Sequence, residues 1–292
     1  MTDKSLTDKP LTGKPVAAVR PASTVLLLRD VPAGMEVFMV VRHHQIDFAS
    51  GALVFPGGSV DPGDRDPRVR LGCAGAEGLE DEALAFRVAA IREAFEECGV
   101  LLARPRGAEA LVGADRLARL EERYRRALER DEIRIADMLE AEDLELACDW
   151  LVPYARWITP EIMPKRFDTW FFLATAPADQ IAVHDGTESV DSVWIRPQDA
   201  CAEADAGRRT VIFPTRMNLE KLARSRSVAE AFAAARAEPV VTVLPRVEKA
   251  PGGRIMRIPI EAGYGISEVH LEGAPGAGGT ARRVQLAQEV KL

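Results

Sequence analysis

Leu84, Val88, Ile91, Phe95 and Cys98 recur at helical spacing and form one apolar stripe. On a wheel of about 100° per residue, Glu93, Glu96 and Glu97 fall roughly opposite that stripe. Ala89, Ala90 and Ala94 favour a helix, and Gly99 stands where one should stop. The pattern predicts an amphipathic helix with one face on a core and the acids facing a cleft or solvent. Thr24 to Arg29 and Glu36 to Arg42 read as strands joined by the turn Val31-Pro32-Ala33-Gly34. Ala52 to Phe55, Ala155 to Pro160, Phe167 to Thr175 and Val190 to Ile195 read as further strands. Helical periodicity marks Asp115 to Arg130, Ile133 to Leu146, Pro197 to Ala206 and Met217 to Arg236. Strands and helices mixed in this irregular order predict an α+β fold. Val240 to Leu244 and Ile255 to Ile260 are strand-like. They either add edge strands or build a homodimer contact.

The acidic helix carries the chemistry. Glu93 and Glu97 are four apart and Glu93 and Glu96 three apart, so all three reach one region of space. Like charges this close repel unless something positive sits among them, and a hard divalent cation takes oxygen ligands. A solvated acidic face with an Arg92–Glu96 ion pair is the competing reading of the helix alone. The preceding segment favours the metal. Phe55-Pro56-Gly57-Gly58-Ser59-Val60-Asp61-Pro62-Gly63-Asp64 is an apolar strand end running into a Gly/Pro-rich loop. Its glycines let backbone approach a ligand closely.

Together these segments resemble the Nudix hydrolase signature, G-x5-E-x7-R-E-U-x-E-E-x-G-U, where U is apolar. Gly58 matches its first glycine. Arg92, Glu93, Glu96, Glu97, Gly99 and Val100 match its second half, with Ala94 and Phe95 sharing the apolar and free positions. The signature's first glutamate falls on Asp64. Positions 65 to 91, 27 residues, separate Asp64 from Arg92 where the pattern has seven. The resemblance implies a mixed sheet sandwiched between helices. An insertion then spans about residues 65–82, and a helical one about residues 114–146. It also implies one to three Mg²⁺ or Mn²⁺ ions on Glu93, Glu96 and Glu97, with Arg92 holding the glutamates in place. The general base is Glu96, if it is not a ligand, or Glu188. For Glu188 an exposed loop carboxylate is the alternative reading.

The likeness extends from about Thr24 to Arg224. W-I-T-P, K-R-F-D-T-W-F-F-L and the interrupted signature look like a coenzyme A diphosphatase-like subgroup. That implies cleavage of coenzyme A or an acyl-CoA to 3′,5′-ADP and a 4′-phosphopantetheine product. A second pattern of coenzyme A-cleaving members, L-L-T-x-R-[SA]-x3-[RQ]-x3-G-x3-F-P-G-G, is half matched. Arg42, Gly51 and Phe55 to Gly58 fall in register, but His43 replaces Ser or Ala and Asp47 replaces Arg or Gln. NADH, ADP-ribose or a nucleoside triphosphate therefore stay open as substrates, as does a non-catalytic ligand sensor. Arg42, Gly57, Gly58, Lys165 and Arg166 are the substrate-binding candidates. Trp157, Phe167 and Trp170 either stack on a base or belong to the core.

Composition narrows the partners. Of 292 residues, 47% are hydrophobic, enough for one large domain. The net charge of −7 disfavours a nucleic-acid partner, and no apolar run is long enough for a membrane span. Cys73, Cys98, Cys148 and Cys201 are widely spaced without C-x-x-C, as expected of reduced thiols in a cytoplasmic protein. The expected division is a disordered leader at 1–20, a catalytic domain at 21–240 and an extension at 241–292 with a loose tail.

Overall fold

The computed structural model describes residues 16–42, 51–180, 182, 189–251 and 253–271. His43, Asp47, Glu188, most of the leader and the tail lie outside them. In chain order the first half comprises β1 (Val19–Val31), β2 (Gly34–Arg42), β3 (Leu53–Val54) and β4 (Gly57–Ser59). These are followed by α1 (Pro67–Leu71), β5 (Cys73–Ala74), α2 (Asp81–Cys98) and β6 (Ala103–Pro105). Then come α3 (Ala114–Leu120), α4 (Arg126–Glu129), α5 (Ile135–Glu142) and β7 (Leu144–Ala147). The second half holds β8 (Val152–Ile158), β9 (Arg166–Thr175), β10 (Ser189–Ile195), α6 (Pro197–Asp205), α7 (Phe213–Leu222) and α8 (Val228–Ala237). The chain closes on β11 (Thr242–Val243), β12 (Arg246–Ala250), β13 (Gly253–Arg257) and β14 (Glu268–Leu271).

The main sheet is mixed and runs β10-β2-β1-β9-β8-β11, with β3 on β2 and β4 on β1. Its central strands β1 and β9 pair in parallel, Val25 opposite Phe172 and Leu26 opposite Leu173. Such strands are covered on both faces, which explains the unbroken apolar run of β1. Val25 and Leu27 join one core cluster, with Phe38, Val40, Phe172 and the apolar side of α2. Leu26 and Leu28 join the opposite cluster, with Val37, Met39, Leu173 and residues of α6, α7 and α8. Period-two alternation thus feeds two helical layers, and the expected sandwich is what forms.

Several elements differ from expectation. The first insertion is ordered structure rather than bare loop. A 3₁₀ turn at Pro62–Arg65 leads into it, it holds α1 and β5, and α2 already begins at Asp81. β5 pairs in parallel with β7, and β6 pairs antiparallel to β7, so the two insertions meet in one small sheet with β6 from between them. Residues 144–146, expected at the end of a helix, belong to β7, because Asp143 turns left-handed at φ 49 and stops α5. The helix expected from Met217 to Arg236 is two, since Ser227 caps α8 by accepting from the Glu230 amide. β11 extends the main sheet in parallel beside β8. The stretch after it forms a separate antiparallel sheet, β12-β13-β14.

Candidate active site

α2 packs on β1 by its apolar stripe, and Ser23 Oγ ties it down by donating to Phe86 O at 2.6 Å. The helix is enclosed more completely than an amphipathic pattern implies. Arg92, Glu96 and Glu97 are all buried, because β4 and the 3₁₀ turn cover their side. Their surroundings are polar rather than apolar. Arg92 Nε donates to Asp64 Oδ1 at 2.9 Å and Nη2 donates to Asp64 Oδ2 at 3.1 Å. Nη1 donates to Glu96 Oε2 at 2.9 Å and lies 3.0 Å from Glu93 Oε1. Nη2 also reaches Ser59 O at 2.9 Å. One guanidinium therefore holds three carboxylates and the last carbonyl of β4, with a fourth carboxylate, Asp61, 3.6 Å from Nη2.

Asp64, at the position of the signature's first glutamate, is the anchor of this arrangement. Its side chain is fully buried and also accepts from the Asp61 amide at 2.8 Å. The short side chain suffices because the 3₁₀ turn carries it to Arg92. Glycines set the other wall. Gly57 has φ 153, and a Cβ there would run into Ser23 O and Thr24 of β1. Its amide donates to Glu97 Oε2 at 3.0 Å. A Cβ on Gly58 would stand 2.5–2.6 Å from the Glu93 carboxylate. Gly99 ends α2 at φ 67 with its amide on Phe95 O.

The electrostatics follow from this packing. Burial opposes the charge of Arg92, but Asp64, Glu93 and Glu96 outweigh it and hold its pKa well above the usual value. Burial pushes the Glu96 carboxyl up to about 8, with Arg92 pulling against it and Glu93 adding to the rise. Glu96 Oε1 is buried with no hydrogen-bond partner. Among the described residues, no three Asp, Glu, His or Cys side chains converge closely enough to hold a metal ion as they stand. Arg92 and the Gly57 amide engage the carboxylates instead. The donor set nevertheless suits a hard divalent cation: three adjacent carboxylates, one with an unsatisfied oxygen.

The other candidates fall elsewhere. Arg166, buried at the start of β9, donates to Thr159 O at 3.0 Å and Ala17 O at 3.2 Å and pins backbone. It pairs with Val19, four residues along β1 from Ser23, which faces Gly58. Lys165 is exposed. Arg42 ends β2 opposite Ser189, and its side chain, like Glu188, lies outside the description. Trp157 is core, donating Nε1 to Tyr264 OH at 2.8 Å. Trp170 is half-buried between Phe172 and the Arg156 guanidinium, which lies 5.2 Å from its ring centre. Arg125 went unnoticed in the sequence. Its Nε donates to Glu96 O at 2.9 Å, and no local motif signals that contact.

A mixed sheet between helices, with R-E-x-x-E-E on the helix beside a paired-glycine strand, defines a Nudix-type domain. A family model described as the NUDT19 Nudix domain matches residues 74–220. The chain belongs to the Nudix hydrolase family, in the subgroup which that model describes. Among curated proteins it is similar to acyl-coenzyme A diphosphatase NUDT19 of Homo sapiens. The two are 30% identical over 226 residues, 62% of this chain and 59% of that protein. It is also similar to putative nudix hydrolase 7 of Caenorhabditis elegans, 29% identical over 188 residues, 64% of this chain and 56% of that protein. The chain thus spans less than two thirds of either relative's length. A solved NUDIX hydrolase from Alicyclobacillus acidocaldarius superposes with a TM-score of 0.61 at 25% identity. It covers 74% of this chain and 96% of that one. No helix among the described residues is long and apolar enough to cross a membrane.

Proposed function

We propose that this protein hydrolyses the diphosphate linkage of a nucleoside diphosphate derivative with Mg²⁺ or Mn²⁺ as cofactor. Coenzyme A or an acyl-CoA is the favoured substrate, giving 3′,5′-ADP and a 4′-phosphopantetheine product. The observation that carries the reading is the Arg92 constellation, which gathers Asp64, Glu93 and Glu96 beside Gly57 and Gly58. Glu93, Glu96 and Glu97 would hold the metal. The cation supplies charge neutralisation on the diphosphate and a more acidic bound water. Arg92 holds Glu96 and Glu93 on one side, and the Gly57 amide holds Glu97 on the other. Glu96 Oε1, lacking a partner, is the atom assigned to take a proton when Glu96 is ionised and not a ligand. Glu188 is the alternative base.

Coenzyme A is preferred because a relative bears the name acyl-coenzyme A diphosphatase and the Arg42–Gly58 segment half matches the coenzyme A pattern. Asp47 favours the second reading, hydrolysis of NADH, ADP-ribose or a nucleoside triphosphate. A carboxylate is a poor neighbour for a 3′-phosphate. Four buried free thiols support a reducing, cytoplasmic setting. The test offers coenzyme A, acyl-CoA, NADH, ADP-ribose and nucleoside triphosphates with Mg²⁺ or Mn²⁺, with Glu97→Gln as control. The expected outcome is metal-dependent turnover of coenzyme A that Glu97→Gln abolishes. Turnover of NADH alone would replace the substrate, and turnover of none would end the enzyme reading.

A further inference from the structure

The carboxyl end of α2 meets the second insertion. α3 does not run directly into α4: a π-helical turn at Glu121–Arg125 separates them. Such turns add a residue to the helix and re-aim its side chains. Here the re-aimed side chain is Arg125. Its Nε donates to Glu96 O at 2.9 Å, and its Nη1 donates to Glu121 Oε1 at 3.0 Å. Glu96 O is one of the last carbonyls of α2, which have no amide partner within the helix. Ala94 O and Phe95 O are taken by the Val100 and Gly99 amides, and Glu96 O, the next along, by Arg125. Gly99 makes the approach possible. A Cβ there would collide with Glu121 Oε1 and stand 3.1 Å from Arg125 Nη1. The glycine that ends the helix is thus also the clearance for the Glu121–Arg125 pair.

We propose that Arg125 is a positioning residue for the metal site, fixing the acidic turn through the Glu96 carbonyl. This rests on the metal-dependent reading above. Arg125 touches the backbone of one proposed ligand and flanks the turn that carries a second, Glu97. Packing holds it there: Leu117, Leu120, Tyr124 and Leu128 of the same insertion are buried, and Tyr124 OH donates to Glu142 Oε1 at 2.8 Å. The insertion is then part of the active-site wall rather than an ornament.

Charge and position predict opposite signs. Deleting a cation bound to the backbone of the acidic turn should, by electrostatics alone, tighten the binding of a divalent cation there. Losing an outer-shell contact should weaken it by about 10–100-fold. The experiment is Mn²⁺ binding to the full chain without substrate, read by electron paramagnetic resonance, for wild type, Arg125→Ala, Arg125→Lys and Glu121→Gln. Coenzyme A turnover is measured in parallel. Arg125→Ala is expected to weaken Mn²⁺ by about 10-fold or more. It should lower kcat while KM stays within about two-fold, since the contact is remote from the substrate. Arg125→Lys keeps the charge without the planar fork and should not restore affinity. Glu121→Gln, which keeps Arg125 itself, should weaken Mn²⁺ in the same direction and covers the case of an unfolded Arg125→Ala. Unchanged or tighter Mn²⁺ binding in the variants, or full rescue by lysine, overturns the inference alone. A wild type that binds no Mn²⁺ overturns the metal reading and the inference with it.

Discussion

Replacing Asp64 with asparagine keeps the size of the side chain and removes its charge. The carboxylate accepts from Arg92 Nε at 2.9 Å, from Arg92 Nη2 at 3.1 Å and from the Asp61 amide at 2.8 Å, wholly out of solvent. Asparagine keeps one acceptor oxygen, which the Asp61 amide can use. In that pose the oxygen, at the Oδ2 position, still accepts from Arg92 Nη2, and the NH₂ faces Arg92 Nε, donor against donor. Stranding a buried charge costs about 3–5 kcal/mol, but Arg92 is not stranded. It retains Glu96, Glu93 and Ser59 O. What is lost is the Nε bond together with the carboxylate charge behind the Nη2 bond, so the expected cost is ~2–3 kcal/mol. With an m value of ~3 kcal/mol/M the urea midpoint should fall by roughly 1 M at unchanged m. Equilibrium urea unfolding followed by circular dichroism measures this. Asp64→Glu should fall less, because it keeps the charge and sacrifices the Asp61 contact, worth about 1 kcal/mol. A midpoint shift below about 0.2 M for Asp64→Asn would refute the assignment of Asp64 as the anchor of Arg92.

Glu96 gives a pH signature in metal-free protein. Its carboxyl titrates near 8 when folded against 4.5 ordinarily, so the folded state holds a proton that the unfolded state has already released. Stability should therefore fall between about pH 5 and pH 8, by on the order of a few kcal/mol. Glu96→Gln should flatten the decline, and parallel curves for the two proteins in urea titrations at stepped pH would contradict it. Gly58→Ala should disturb the site more than the fold, because its Cβ meets the flexible end of Glu93 rather than backbone. A loss of about 10–100-fold in metal-dependent turnover is expected, with a stability change of about 1 kcal/mol or less, measured by kinetics and unfolding on one preparation.

Much of the candidate site was legible because the acidic helix keeps charge, apolar and glycine positions in one short stretch. Glu93, Glu96, Glu97 and Gly99 needed only helical spacing to be placed, and Gly58 was marked by the Phe55-Pro56-Gly57-Gly58 loop and its offset from Asp64. The same stripe misled on exposure. Leu84, Val88, Ile91, Phe95 and Cys98 said which side is core, but not that β4 and the Pro62–Arg65 turn cover the other. Asp64 was flagged by its place in the motif. With 27 residues between it and Arg92, spacing could not say whether the two meet. Arg166 pins backbone, and Trp157 lies in the core, one of the two readings open for it. An arginine or tryptophan on a strand carries the same local pattern whether it faces a ligand or pins the core.

By itself the sequence determined the class of fold and the residues of the acidic turn, since helical and strand periodicities are local properties of side-chain spacing. Tertiary structure alone decided three things. Asp64 reaches Arg92 across the first insertion, the two insertions share a sheet through β5 and β7, and Arg125 closes the end of α2. Each is a contact between segments far apart in the chain. Such contacts follow from how layers pack, and no local pattern encodes them.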